Sequence, residues 1–123
     1  MLRVLRFPMA RAAECSPPLD IIESSQGFEV ILDLPGVPAS SLEIVFADNL
    51  LVISGEKLPA VCEHADAGFH IAERGFGRFR RAIRLDGAYD GGRAAASLAR
   101  GELRVVLPRI EERRGVPIRI PVR

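Results

Sequence analysis

The sequence contains few of the features that define several large classes of protein. Its 123 residues include only two cysteines, too few for a disulfide framework and typical of a reducing compartment. Seventeen basic and 16 acidic residues leave a net charge of +1, which does not favour a nucleic-acid or membrane surface. The apolar N-terminal segment is interrupted by Arg3, Arg6 and Pro8, so it lacks a signal-peptide core, and no segment reaches membrane-spanning length. We expect a cytoplasmic protein that binds neither nucleic acid nor membranes.

Helical periodicity is also scarce, and short alternating segments take its place. After the N-terminal segment, no stretch of twelve or more residues holds a helical period, whereas apolar and polar residues alternate as in strands that bury one face. The hydrophobic fraction of 48% is sufficient for a core. The pattern predicts an all-β fold, an antiparallel, immunoglobulin-like β-sandwich of about seven to eight strands. The segments are Leu19 to Glu23, Phe28 to Leu34, Leu42 to Phe46, Leu50 to Ser54, Phe69 to Arg84, Ala94 to Ala99 and Leu103 to Leu107.

The chain is predicted to have three parts: a flexible N-terminal arm (residues 1–18), a sandwich domain (19–110) and a C-terminal tail (111–123). Pro8 would break any helix in the arm. The arm has two interpretations, a disordered start or an adaptable surface that binds partners, since apolar side chains on an exposed segment mark interaction sites. Those side chains are Leu2, Val4, Leu5, Phe7 and Met9.

The clearest strand pattern is a hairpin over Ala94 to Arg109. Its two alternating halves meet at Arg100 and Gly101, and glycine supplies the positive φ that a tight turn needs. The first half consists almost entirely of alanine and serine, so it leaves a shallow trough that a larger group must fill. The proline-flanked apolar segment 116–122 is the predicted occupant, which indicates that copies of this chain bind one another.

Residues with chemical potential occur, but none forms a recognised catalytic or metal-binding pattern. Cys62, Glu63, His64, Asp66 and His70 include metal-ligand types, yet their spacing matches no closed zinc motif. Five arginines between residues 74 and 84 permit a nucleic-acid patch, but a solvated strand face is the stronger interpretation. We find no Ser-His-Asp set, nucleotide loop or acid–base pair. The sequence therefore predicts a protein that is not an enzyme and has no cofactor or metal.

Five motifs occur in order between residues 28 and 120. An aromatic strand ends in Asp-x-Pro-Gly, a second strand ends in Gly-Glu, and Glu-Arg precedes Gly-x-Phe-x-Arg. An Ala-x4-Gly-x-Leu hairpin then ends in Leu-Pro-Arg, and the tail carries Ile-x-Ile. The motifs lie at Phe28 to Val37, Leu50 to Glu56, Glu73 to Arg81, Ala96 to Arg109 and Ile118 to Ile120. Together these motifs resemble those of the small heat-shock proteins, and the resemblance, to the α-crystallin domain and C-terminal tail of that family, covers residues 19–123.

The resemblance implies two contacts between copies of the chain. In the first, the loop Lys57 to Ile71 reaches a partner's Leu19 to Glu23 and adds a strand to its sheet, with Arg81 paired to carboxylates across the interface. The implied dimer residues are Leu19, Ile21, Phe69, Ile71 and Arg81. In the second, Ile118 and Ile120 of the tail enter a groove on another dimer. The implied groove residues are Leu42, Ile44, Phe46, Ala95, Ala96 and Leu98.

The function that the resemblance implies is that of an ATP-independent holdase chaperone in the stress response. Apolar surface on the arm and in the groove would capture unfolding client proteins before they aggregate, and a dimer-based homo-oligomer would be the working form. A co-chaperone or adaptor of similar fold, serving one specific partner, is the alternative. Nucleic-acid binding by the arginine-rich strand is a third, and salt-sensitive retention on a nucleic-acid column would reveal it.

Overall fold

The structure, a computed structural model, describes residues 16–59, 63–110 and 118–123. Eight strands make up about half of these residues, and two short 3-10 turns lie at Ala39–Ser41 and Gly91–Arg93. The prediction of an all-β sandwich with seven to eight strands is confirmed. The strands are β1 (Leu19–Ser24), β2 (Gly27–Asp33), β3 (Glu43–Ala47), β4 (Leu50–Lys57), β5 (Gly77–Arg84), β6 (Ala95–Ala99), β7 (Glu102–Pro108) and β8 (Ile118–Arg119).

The strands form two four-stranded antiparallel sheets. The first sheet has the order β1-β2-β7-β6, and the second has the order β5-β4-β3-β8. Alternate residues of each strand point into the space between the sheets, where they form one core. The largest fully buried side chains are Tyr89, Leu32, Leu34, Ile44, Leu51, Ile53, Leu103, Leu107, Val30 and Val105. Apart from the tail strand β8, the two sheets have four outer edges, formed by β1 and β6 in the first sheet and by β5 and β3 in the second. The candidate sites lie at these edges.

The β6–β7 hairpin has the predicted turn. Arg100 has φ 52° and Gly101 has φ 78°, the left-handed pair that matches the twist of a two-residue hairpin. A Cβ on Gly101 would also lie 3.2 Å from the Cα of Pro35, and the Leu34 amide donates to the Gly101 carbonyl at 2.6 Å. Glycine is required here both for its backbone angle and for this close approach.

The predicted strand from Phe69 to Arg84 is wrong for its first half. The strand β5 begins at Gly77, which pairs with Lys57 at the end of β4. Phe69 and Ile71 lie before that pair, with 48% and 65% of their surface exposed, and no described strand runs beside them. An alternating apolar pattern alone does not supply the neighbour that a strand needs.

Among the described residues, no helix is long and apolar enough to cross a membrane.

Candidate binding sites at the sheet edges

A groove lies between the edge of β3 in one sheet and the edge of β6 in the other, and the described tail occupies it. On the β3 side, β8 pairs antiparallel, with Ile118 opposite Phe46 and Arg119 opposite Val45. The Ile120 amide then donates to the Ile44 carbonyl at 2.9 Å. The tail therefore extends the second sheet by one short strand.

The same segment also bonds to β6 on the opposite wall of the groove. Val122 forms a parallel bridge with Ala96. The Arg123 amide donates to the Ala96 carbonyl at 2.9 Å, and the Leu98 amide donates to the Arg123 carbonyl at 2.9 Å. The tail therefore satisfies main-chain groups on both edges, which would otherwise be open to pairing with another chain.

Small residues make room for the tail's isoleucines. Ile120 is only 3% exposed, and Ala96 beneath the tail is 2% exposed. Gly91 matters as much, because a Cβ there would lie 2.8 Å from Cδ1 of Ile118 and 3.1 Å from the Phe46 ring. The sequence interpretation missed Gly91, since it lies in a segment assigned to a loop. Its only signal was a Gly-Gly pair just before the alanine-rich strand.

Four of the six predicted groove residues, Ile44, Phe46, Ala96 and Leu98, pair with or bond to the tail. Leu42, Ile44, Phe46, Ala96 and Leu98 are buried or half-buried and belong to or pack against the core. One predicted groove residue differs: β6 pairing puts Ala95 opposite the exposed Val106 on the outer face, whereas its neighbour faces the core. Strand alternation excludes Ala95 from the groove. A second difference is that the tail lies in its own chain's groove, whereas we expected it on another dimer.

The edge of β1 is the contrasting site. One side of β1 pairs with β2, and no described strand pairs with the other side. Ile21 and Ile22 are 48% and 49% exposed, whereas Leu19 is half-buried against the core. Ile21 sits opposite the fully buried Val30, so it lies on the core-facing side of β1 yet remains uncovered. An apolar, uncovered edge is a template for an added strand.

Arg81 occupies an unusual place in β5. It lies opposite Ile53, which is fully buried, so it belongs to the core-facing side of the strand and is half-buried. Its Nη1 donates to the Pro17 carbonyl at 2.7 Å, which holds the segment just before β1. Arg81 takes part in none of the four ion pairs among the described residues, and the carboxylate partner that the resemblance implies would belong to a second copy. Those pairs are Arg104–Glu29, Arg104–Glu102, Arg109–Glu23 and Arg119–Glu43.

A polar cluster fixes the end of β1 to the point where the tail leaves the sandwich. The Glu23 carboxylate accepts from the Tyr89 hydroxyl at 3.1 Å and from Nη2 of Arg109 at 2.9 Å. The guanidinium of Arg109 also lies 5.2 Å from the centre of the Tyr89 ring. Burial, followed by the hydrogen bond to Glu23, raises the pKa of Tyr89 above its ordinary value of 10.0. The cluster therefore favours a protonated tyrosine.

The remaining predicted residues do not form a chemical site within the described chain. Glu63, His64, Asp66 and His70 are exposed, and the described residues contain no group of three or more His, Cys, Asp or Glu side chains that could hold a metal ion. Cys62 lies outside the described residues. So do the five apolar arm residues, Leu2, Val4, Leu5, Phe7 and Met9.

Fold and site together define a class of protein: a β-sandwich in which a groove between two sheet edges holds an extended, apolar segment by strand addition. The chain belongs to the Hsp20/alpha crystallin family, whose model matches residues 20–123. The resemblance drawn from the five motifs is thereby confirmed.

Individual relatives agree with this assignment. The chain is 30% identical over 105 residues to small heat shock protein C4 of Rickettsia felis, covering 85% of this chain and 64% of that protein. It is 32% identical over 100 residues to heat shock protein 16 of Schizosaccharomyces pombe, covering 80% and 70%. The chain thus spans about two thirds of these relatives.

Solved structures of the family share the fold. Heat shock protein 16.0 from S. pombe aligns with a TM-score of 0.74 at 30% identity, covering 83% of this chain and 94% of that one. A small heat-shock protein from Xylella fastidiosa, described as having a distinct high order structure, aligns with a TM-score of 0.65 at 27% identity, covering 83% and 94%.

Proposed function

We propose that the protein is an ATP-independent holdase chaperone of the cytoplasm that works as a dimer-based oligomer. The observation that carries this proposal is the tail itself, an extended apolar segment bonded to both edges of the β3–β6 groove. A fold that holds one such segment through main-chain hydrogen bonds and apolar contacts has the means to hold others. Unfolding proteins expose segments of this kind before they aggregate.

Strand addition explains how one surface would accept many clients. The main-chain groups of a sheet edge bind any extended backbone, while alternate side-chain positions select for apolar residues. The groove supplies this combination when the tail leaves it, and the β1 edge supplies it with Ile21 and Ile22. The apolar residues of the N-terminal arm would add less specific contacts. Binding the unfolded chain keeps it soluble without a chemical step.

The dimer would form at the β1 edge. Among its described residues, the segment after β4 carries three large apolar side chains that are exposed, Leu58, Phe69 and Ile71, at 53%, 48% and 65%. The β1 edge carries two more, and Arg81 lies close by through its bond to Pro17. Exposed apolar groups on both a loop and an unpaired edge fit a reciprocal exchange, in which each copy lends its loop to the other's β1.

Larger assemblies would form when tails move from their own groove to that of another copy. Burying one isoleucine contributes roughly 1.5–3 kcal/mol, but ordering the tail and losing free motion offset much of this. One tail therefore binds weakly, and several act together to hold an oligomer. Weak individual contacts also let subunits exchange, so that grooves become vacant for clients.

The test is an aggregation assay without ATP. Insulin whose disulfides are reduced aggregates, and light scattering follows its loss from solution. We expect the full chain to suppress scattering in proportion to its concentration, and added ATP to change nothing. Serum albumin at equal mass is the control for crowding and surface adsorption. Scattering equal to that with albumin would contradict the proposal and favour the adaptor alternative.

A further inference from the structure

The alternation of burial in the tail continues beyond the two isoleucines. Ile118 is half-buried, Ile120 is buried and Val122 is half-buried, whereas Arg119 and Pro121 between them are exposed. Val122 also packs against the core cluster. Three branched apolar side chains at alternate positions therefore face the protein, although only Ile118–Arg119 form a regular strand.

The three side chains do not all rest on the same wall. Ile118 and the Ile120 amide belong to the β3 edge, where the tail runs antiparallel. Val122 and both main-chain groups of Arg123 belong to the β6 edge, where the bridge is parallel. The tail thus passes from one sheet to the other within a few residues.

Pro121 stands at this crossing, between the last bond to β3 and the first bridge to β6. A residue that leaves one edge before reaching the other has no main-chain acceptor in register for its amide, and an unpaired amide near a buried surface costs free energy. Proline has no N–H, so it removes this cost, and its fixed φ lowers the entropy lost on docking.

We propose that the tail is recognised through three positions, Ile118, Ile120 and Val122, and that Val122 with the Arg123 backbone forms a second anchor on β6. The groove would then select an extended segment of the form Ile-x-Ile-x-Val, and the Ile-x-Ile pair alone would bind only the β3 edge. The inference rests on the proposed role of tail docking in assembly, but its test does not depend on chaperone activity.

The test is residue-resolved hydrogen exchange on the full chain, read at two amides. The Leu98 amide reports the second anchor and the Ile120 amide reports the first. In Val122→Asp, a carboxylate would meet the buried Ala96, and we expect the Leu98 amide to exchange about tenfold faster, the change expected when a main-chain bond of about 1.4 kcal/mol is lost. Val106→Asp makes the same change at an exposed position on the outer face of β7, so its Leu98 amide should stay within about twofold of wild type.

Two outcomes would overturn the proposal: unchanged Leu98 protection in Val122→Asp, or equal loss in both variants. The Ile120 amide should keep its protection in Val122→Asp, because the Ile-x-Ile pair still bonds to the β3 edge. If Val122→Asp does not fold, as judged by the amide of the buried Leu103, then Val122→Ala replaces it, with about threefold faster exchange at Leu98 expected from the smaller loss of apolar contact. The exchange rates of these amides do not depend on whether the chain suppresses aggregation, so this proposal and the proposed function can fail independently.

Discussion

The two open sides of the sandwich differ in what covers them. On one side, the edges of β3 and β6 are both bonded to residues 118–123 of the same chain. On the other side, no described strand covers the β1 edge, where about half of Ile21 and Ile22 is exposed, while β5 presents exposed arginines on its outer face. Charged residues on an edge strand discourage pairing with other chains. Of the two uncovered strands, β1 is therefore the one suited to a partner.

One chain can cover the β3 and β6 edges with its own tail, whereas the proposed contact at the β1 edge needs two chains. The tail is long enough to close its own groove, so this edge is covered even in a single copy. The β1 edge has no such cover in the described chain, and in the proposed dimer its exposed isoleucines would be buried by a second copy. Dimer formation and tail docking are then separable, and variants can remove one while leaving the other.

The largest effect should come from removing the loop that would reach the β1 edge. Lys57 and Gly77 face each other at the end of the β4–β5 ladder, so residues 58–76 can be replaced by Asn-Gly, a two-residue hairpin turn. We expect native mass spectrometry to show monomers and circular dichroism to show an unchanged strand content. A shortened chain that still runs as the parent oligomer would contradict the exchange model.

Removing the tail's isoleucines should have the next largest effect. Ile118→Ala with Ile120→Ala removes most of the apolar contact with the groove, so we expect assemblies larger than dimers to dissociate while circular dichroism shows the same strand content. Arg119→Ala is the matched control, because its ion pair with Glu43 is exposed and contributes only ~0–1 kcal/mol. Persistence of full-size particles in the double variant would mean that the tail does not build them.

Blocking the groove from below should reproduce that result with a single added methyl group. Gly91→Ala places a Cβ 2.8 Å from Ile118, so we expect weaker docking and smaller particles by native mass spectrometry. Gly92→Ala, in the same 3-10 turn, meets only the Asp90 carboxylate at 3.3 Å and should leave the particle intact. Equal effects of the two changes would show that the turn, and not the Ile118 contact, is responsible.

On the β1 side, Arg81→Ala should lower stability more than Arg84→Ala. Arg81 is half-buried and donates to the Pro17 carbonyl at 2.7 Å, and a hydrogen bond from a charged group contributes ~1.5–3 kcal/mol. Arg84 is exposed, so its replacement should change stability by less than ~0.5 kcal/mol. Thermal unfolding of the two variants compares them directly, and equal small losses would rule out a special role for Arg81.

The smallest effect concerns the cluster that joins β1 to the root of the tail. The raised pKa of Tyr89 means that the unfolded chain ionises first, so stability is unaffected below pH 10 and falls as the pH rises from there through the folded pKa. Tyr89→Phe should lose ~1 kcal/mol at neutral pH with the hydrogen bond to Glu23 and should lack this alkaline fall. Denaturant unfolding at pH 7 and pH 11 measures both, and because Tyr89 is the only tyrosine, ultraviolet absorbance follows its ionisation. An equal alkaline fall in the phenylalanine variant would contradict this assignment.

Local patterns predicted much of the fold because they are decided by neighbouring residues. The β6–β7 hairpin was predicted from the alternation of apolar residues and from Gly101. The small side chains of the alanine-rich strand predicted a trough, and the apolar tail was predicted to fill it. Strand alternation also places Ala95 and Ala96 on opposite faces of β6, so the sequence could have excluded Ala95 from the groove, although the sequence interpretation placed both there. The role of Gly91 was not accessible, because its closeness to Ile118 arises only when the tail folds back on the domain. The segment 69–76 was misassigned because a strand needs a partner that sequence alone does not supply.

Hydrogen exchange measured at several protein concentrations tests the difference between the two sides most directly. At the tail-covered edges, the amides of Leu98 and Ile120 should stay protected on dilution, because the bonds can form within one chain. The β1 amides that point away from β2 should lose protection as dimers dissociate, because in the proposed dimer a second copy covers them. Protection of β1 that does not change with concentration, or protection at Leu98 and Ile120 that falls in step with it, would contradict this account.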